Sequence, residues 1–198
     1  MPGTDAHGEW VPRDVCKVAS LGEIFARAAP LELDLGCGDG SFLIAMAQRF
    51  PERNFLGTER MERRVRTVCR KIAHERLANV RVLRLESLFT VRHLLPAGSV
   101  SVAHVAFPDP WPKRNHHPRR LFQDEFMQAL HRVLAPGGEV RAKTDDLPYF
   151  HWMEKVFARA PGFARIDWEE APDYPRTDFE RLYVARGMPI HLARLRKV

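Results

Sequence analysis

Cysteine is scarce in this chain: Cys16, Cys37 and Cys69 are its three residues of that type, odd in number and widely spaced. None sits in a paired metal motif, so a disulfide framework is excluded and free thiols in a reducing cytoplasm are expected. The adjacent His116 and His117 lack a companion cysteine or a spaced third histidine, so no metal is expected there. Long apolar runs are missing as well. None is long enough to span a bilayer, and the opening MPGTDAHGEWVPRD has no signal-peptide core, so no membrane partner is expected. Repeats and low-complexity tracts are also lacking, which excludes solenoid arrays.

What is present suffices for one domain. The 198 residues are 45% hydrophobic, enough for one well-packed core and too few for two of ordinary size. The formal charge of +6 and pI of about 9.6 point towards a nucleic-acid or phosphate partner. The charge clusters in PDPWPKRNHHPRR, from Pro108 to Arg120. Before it, VSVAHVAF (Val100 to Phe107) reads as a buried strand that Pro108 stops. Asp109 follows, fixed between two prolines. Trp111 and the donors Lys113, Arg114, His116, His117, Arg119 and Arg120 complete the stretch.

Residues 1–15 are polar and proline-bearing, and a loosely ordered segment 1–20 is expected ahead of a single domain, 21–198. Leu21, Ile24, Phe25 and Ala28 predict a helix from about Val15 to Ala29, ended by Pro30. Strands are then predicted at 31–36, 54–59, 80–86, 100–107 and 139–144. Helices fall between them, at 41–50, 63–77, 88–95 and 121–134, with a turn at Pro136–Gly138, and a further helix spans 149–159. Two closing strands, 163–170 and 190–198, flank a polar link and a short helix. Five alternations of strand and helix call for a parallel sheet covered on both faces. The expected fold is α/β, a doubly wound and mostly parallel sheet with an antiparallel C-terminal edge.

In such sheets ligands bind at the carboxyl ends of the strands. Asp34, Glu59, Glu86, Asp109 and Asp145 each fall at or just beyond one of those ends. Gly36, Gly38 and Gly40 follow Asp34 in DLGCGDG, an open turn that lets a ligand approach the main chain. A dinucleotide fingerprint would place its third glycine at 41, where Ser41 stands. An acid ahead of G-x-G-x-G instead suits S-adenosylmethionine, a cation without pyrophosphate. Glu59, about twenty residues on, is placed to accept from both ribose hydroxyls. Glu86, or the backbone beside it at Ser87, would face the adenine amino group.

These residues resemble the bacterial tRNA (guanine-N7-)-methyltransferases from about Leu21 to the C-terminus. The most specific piece is FPDPWPKRNHHPRRL; LDLGCGDGSF, FLGTE, AKTD and TDFE (Thr177 to Glu180) agree in order. The resemblance implies a class I methyltransferase fold with seven strands, S-adenosylmethionine as donor and a variable-loop guanine of tRNA as acceptor. By position, Asp34, Glu59, Glu86 and Asp109 match cofactor-side acids, with Asp109 also at the reaction centre. Lys113, Asp145, Thr177, Phe179 and Glu180 match substrate-contacting positions. Asp178 departs from the family, where a basic or polar residue is usual. The short sequence before Leu21 also implies a reduced N-terminal arm.

Guanine N7 loses no proton on methylation, so the site must supply alignment and tolerance of a cationic product ring rather than a strong base. Asp109 and Asp145 are expected to orient the guanine by accepting from its Watson–Crick edge. Lys113, Arg114, Arg119 and Arg120 suit phosphate contacts. Trp111 has two readings, stacking on a base or covering the strand end. Thr177 and Glu180 are spaced as a helix capping box, a role that a guanosine-contacting edge does not exclude. Cys37 reads as a small residue rather than a nucleophile. Two rival functions stay open: methylation of an exocyclic base amine, and RNA binding without catalysis. Oligomeric state is open, monomer or homodimer.

Overall fold

A computed structural model of the chain describes residues 8–171 and 173–198. Seven strands form one sheet: β1 (Leu31–Leu35), β2 (Asn54–Thr58), β3 (Val80–Leu83), β4 (Val100–Ala106), β5 (Leu134–Thr144), β6 (Phe163–Ile166) and β7 (His191–Lys197). Their spatial order is β3-β2-β1-β4-β5-β7-β6. The pairs β1–β2, β1–β4, β2–β3 and β4–β5 are parallel, and β7 is antiparallel to both β5 and β6. The chain winds outward from β1 to β3 and then returns to start at β4. The carboxyl ends of β1 and β4 therefore border the switch point at which such sheets bind ligands.

Burial explains the helices. In α3 (Glu62–Glu75) Val65, Val68, Cys69 and Ile72 recur at helical spacing and are buried against α2 (Ser41–Arg49) and the β2–β3 sheet. On the other face, α5 (Asp124–Val133) and α6 (Leu147–Arg159) bury Phe126, Leu130, Tyr149 and Met153 around Phe122. A short α4 (Ser87–Phe89) continues through a wider turn at Thr90–Leu94, and α7 (Asp178–Ala185) precedes β7.

Three expectations change. The helix predicted over 15–29 is one turn, α1 (Leu21–Ile24), capped by Ser20 and Glu23. Phe25 is already extended, and Pro30 disfavours helical backbone before it. The segment before Leu21 is anchored: Trp10 N donates to Val82 O and Val82 N to Gly8 O, at 2.9 and 3.1 Å, and Trp10 is only 2% exposed. Residues 1–7 lie outside the described residues. Pro136–Gly138 is a bulge within β5 rather than a turn before it, since Val100 pairs with Leu134 and Val102 with Glu139. The expected antiparallel C-terminal edge is present: β7 pairs antiparallel with β5, and β6 adds outside it. Among the described residues no helix is long and apolar enough to cross a membrane.

Candidate active site

The glycine loop is pinned to β2. Gly36 N donates to Thr58 O and Oγ1, and Cys37 N donates to Thr58 O. Gly36, Gly38 and Gly40 have φ of +88°, +59° and +79°, a region that side-chain-bearing residues avoid. A Cβ on Gly36 or Gly38 would meet nothing within 4 Å, so that part of the loop faces open space. Gly40 differs: a Cβ there would come within 2.8 Å of Val68, so packing on α3 demands glycine. Asp39 accepts from Ser41 N and Oγ and from Lys71 Nζ at 3.2, 2.8 and 2.6 Å, which fixes the start of α2.

Carboxylates gather beside this open loop. Asp34 is 5% exposed. Burial first, then the charges of Asp39 and Glu59, raise its carboxyl to about 7. The same burial, with Asp34 and Glu59 next to it, holds the Cys37 thiol protonated, which removes it as a nucleophile. Glu59 accepts from Arg60 N and Met61 N through Oε1, at 2.7 and 2.8 Å, while Oε2 lies 3.5 Å from Arg64. Glu86 caps α4, accepting from Leu88 N and Phe89 N at 3.0 and 2.7 Å. Its carboxylate is thus held by the chain's own backbone. Ser87 Oγ lies 2.9 Å from Thr58 Oγ1, tying this corner to the glycine loop.

The Pro-Asp-Pro loop is strained and braced. Phe107 and Trp111, on either side of it, have φ of +52° and +44°. Such backbone costs roughly 1–2 kcal/mol per residue and persists only where surroundings enforce it. Arg120 is the brace. It is 4% exposed, donates Nε to Pro110 O at 2.8 Å, and its guanidinium lies 5.0 and 5.3 Å from the ring centroids of Tyr149 and Trp152. It thus differs from the exposed Lys113, Arg114 and Arg119, which flank or form the 3₁₀ turn Arg114–Arg119. Arg119 lies over the Trp111 ring, 5.1 Å from its centroid. Asp109 is exposed at the tip.

The TDFE segment meets the ends of β4 and β5. Thr177 caps α7, accepting from Glu180 N at 3.0 Å. Glu180 does not close the expected capping box; both its oxygens accept from the buried Lys143 Nζ at 3.0 Å. Lys143 also pairs with Glu170 and lies 5.1 Å from the Trp168 ring centroid. Phe179 is 54% exposed and, with Tyr183, contacts Phe107 at centroid distances of 6.0 and 5.3 Å. Asp145 lies beside the Tyr183 hydroxyl, and burial first, then the Asp145 charge, raises that hydroxyl's pKa. Asp178 pairs with Arg181 and points along the helix surface.

Two groups of expected residues are therefore assembled: Asp34, Glu59 and the glycines on the β1–β2 side, and Asp145, Thr177, Phe179 and Glu180 on the β5 side. Asp109 lies in the loop that follows β4, the strand between β1 and β5. Lys143, Trp168, Glu170, Phe107 and Tyr183 went unread. Alternation in EVRAKT puts Glu139, Arg141 and Lys143 on one face of β5, which was the available signal for Lys143.

A family model described as "Putative methyltransferase" matches residues 28–193. The tRNA (guanine-N(7)-)-methyltransferase of Halorhodospira halophila is 38% identical over 180 residues, 88% of this chain and 78% of that protein. The protein of the same name from Syntrophotalea carbinolica is 33% identical over 183 residues, 90% and 79%. This chain belongs to the tRNA (guanine-N7-)-methyltransferase family. Solved structures agree on the fold. The 16S rRNA methyltransferase KamB superposes with a TM-score of 0.65 at 18% identity, covering 89% of this chain and 91% of that one. TrmN from Thermus thermophilus gives 0.59 at 22%, covering 87% and 45%. Membership in the tRNA (guanine-N7-)-methyltransferase family accounts for a methyltransferase fold that sets Asp34 and Glu59 within electrostatic reach of each other at the ends of β1 and β2.

Proposed function

We propose that this chain transfers the methyl group of S-adenosylmethionine to N7 of a variable-loop guanine in tRNA. The observation that carries the reading is the placement, at the carboxyl ends of strands in one sheet, of both an acid-lined open glycine loop and an aromatic cluster of Phe107, Phe179 and Tyr183 beside Asp145. The donor's residues fit: Gly36 and Gly38 leave the main chain open to a ligand, and Asp34 sits where a cation would lower its cost of ionising. Glu59 would take the ribose hydroxyls, with Glu86 and Ser87 at the base end. S-adenosylmethionine, when bound, supplies an electrophilic methyl. The chain's own part is alignment. Asp109, held by Pro108, Pro110 and the Arg120 brace, and Asp145, beside Tyr183, accept from the guanine's edge and face the charge that its ring gains. Phe179 offers a stacking face, and Lys113 and Arg119 meet phosphate.

The test is incubation with unmodified tRNA and methyl-labelled S-adenosylmethionine, followed by nucleoside analysis. Labelled 7-methylguanosine is expected; labelled methyladenosine, or no transfer, rejects the reading. In the same assay, with S-adenosylmethionine at saturation, Asp109→Ala should lower turnover by about 100-fold. Turnover within a few-fold of wild type would remove Asp109 from the reaction centre.

A further inference from the structure

The Pro108–Arg120 loop is not the only concentration of charge in the molecule. Residues 59–76 carry seven arginines and lysines against three carboxylates, an excess of four where the whole chain has +6. They form α3 and its flanks. The helix buries Val65, Val68, Cys69 and Ile72, so its remaining surface is set by what faces solvent. There Arg63, Arg66 and Arg70 recur at intervals of three and four, one stripe on one face, and all are exposed. Arg66 has a carboxylate partner, Glu62, which it shares with Arg84. Arg63 and Arg70 make no ion pair among the described residues, and Arg70 reaches only Thr67 Oγ1, at 3.2 Å. Like charges at these spacings each cost a helix a few tenths of a kcal/mol. A face selected only for solubility would intersperse both signs. Arg63 and Arg70 thus bring the fold no ion pair among the described residues, which leaves their charge available to an external polyanion.

Its position says which polyanion. The helix begins three residues after Glu59, at the carboxyl end of β2. The Pro-Asp-Pro loop leaves the end of β4, two strands away across β1, a separation of roughly 10 Å. The cofactor mouth thus lies between two basic surfaces. The stripe runs away from it over seven residues, about 10 Å of helix.

We infer that α3 is a second RNA-binding surface, on which Arg63, Arg66 and Arg70 hold backbone phosphates of the substrate RNA beyond the nucleotide presented to Asp109. This rests on the proposed tRNA substrate and adds a docking face on the β2 side of the site. Phosphate contacts of this kind give affinity and orientation without reading sequence.

The test compares wild type with Arg63→Gln/Arg70→Gln, which disrupts no ion pair, and with Arg63→Lys/Arg70→Lys. Binding of unmodified tRNA is measured across a salt series, and S-adenosylmethionine binding by calorimetry. The glutamine pair should weaken tRNA binding about tenfold or more and flatten the plot of log K against log salt by about 1.5. S-adenosylmethionine affinity should stay at the wild-type value. The lysine pair should keep most of the affinity and the wild-type slope. Equal affinity and slope in the glutamine pair would overturn the inference, as would loss of binding to anionic lipid vesicles with tRNA binding intact. A wild type that neither binds nor methylates tRNA would instead reject the functional reading itself.

Discussion

Burial and the neighbouring Asp39 and Glu59 carboxylates raise the Asp34 carboxyl to about 7, so near neutral pH about half the ligand-free molecules carry it protonated. An unfolded chain would titrate it near the ordinary 3.8. The folded state therefore holds the proton more tightly. Asp34 favours the fold fully below about pH 4, and that contribution is lost as the pH rises through 7. Asp34→Asn should accordingly raise the ligand-free melting temperature, more at pH 8 than at pH 5, with an upper bound of about 2–4 kcal/mol. It should also abolish most of the affinity for S-adenosylmethionine, a trade of stability for function. Wild-type affinity should strengthen between pH 6 and pH 8, because a cationic ligand prefers the ionised carboxylate. Melting curves and calorimetry at those pH values check both signs. An affinity independent of pH would show that Asp34 does not face the ligand's charge.

The Pro-Asp-Pro loop makes the corresponding argument for an element. Two non-glycine residues in left-handed backbone flank it: Phe107 donates its N–H to Lys143 O, and buried Arg120, packed against the Tyr149 and Trp152 rings, holds Pro110 O beside Trp111. Its neighbours in sequence, Lys113, Arg114 and Arg119, face solvent. In sequence all four read alike as phosphate contacts. Nothing in PRR distinguishes Arg120 from Arg119, because the difference lies in Tyr149 and Trp152, brought over from α6 about thirty residues later. Arg120→Lys should lower turnover roughly 10- to 100-fold, since an ammonium cannot fill a planar slot between rings and still reach Pro110 O. The salt dependence of its tRNA binding should match wild type. Arg119→Gln should do the reverse, flattening that dependence by about 0.7–0.9 with turnover at saturation little changed. The TDFE segment behaves similarly. The Thr177 cap was legible from spacing, whereas the carboxylate of Glu180 goes to Lys143, on a strand that no local pattern connects to it.

At the scale of the whole molecule, the β3 flank of the sheet is covered by the N-terminal segment. Trp10 is buried, and Gly8 lies where a Cβ would come within 2.7 Å of Ile72. Trp10→Ala should cost about 3–5 kcal/mol, read by denaturant unfolding. An effect under about 1 kcal/mol would mean the segment is merely resting on the sheet. Composition had marked these residues as loose, because a single tryptophan among polar neighbours has no period to reveal its partner. The sequence by itself determined the layered α/β plan, since alternating apolar runs and amphipathic helices leave a parallel sheet as the way to bury both faces. It also determined the strand-end acids and the open glycine turn, which are local in chain. Only the tertiary structure decided that β7 is inserted inside β6, that Arg120 braces while Arg119 projects, and that Lys143 holds Glu180. Each of those depends on which distant surfaces meet, and hydrophobic period and local propensity are blind to that.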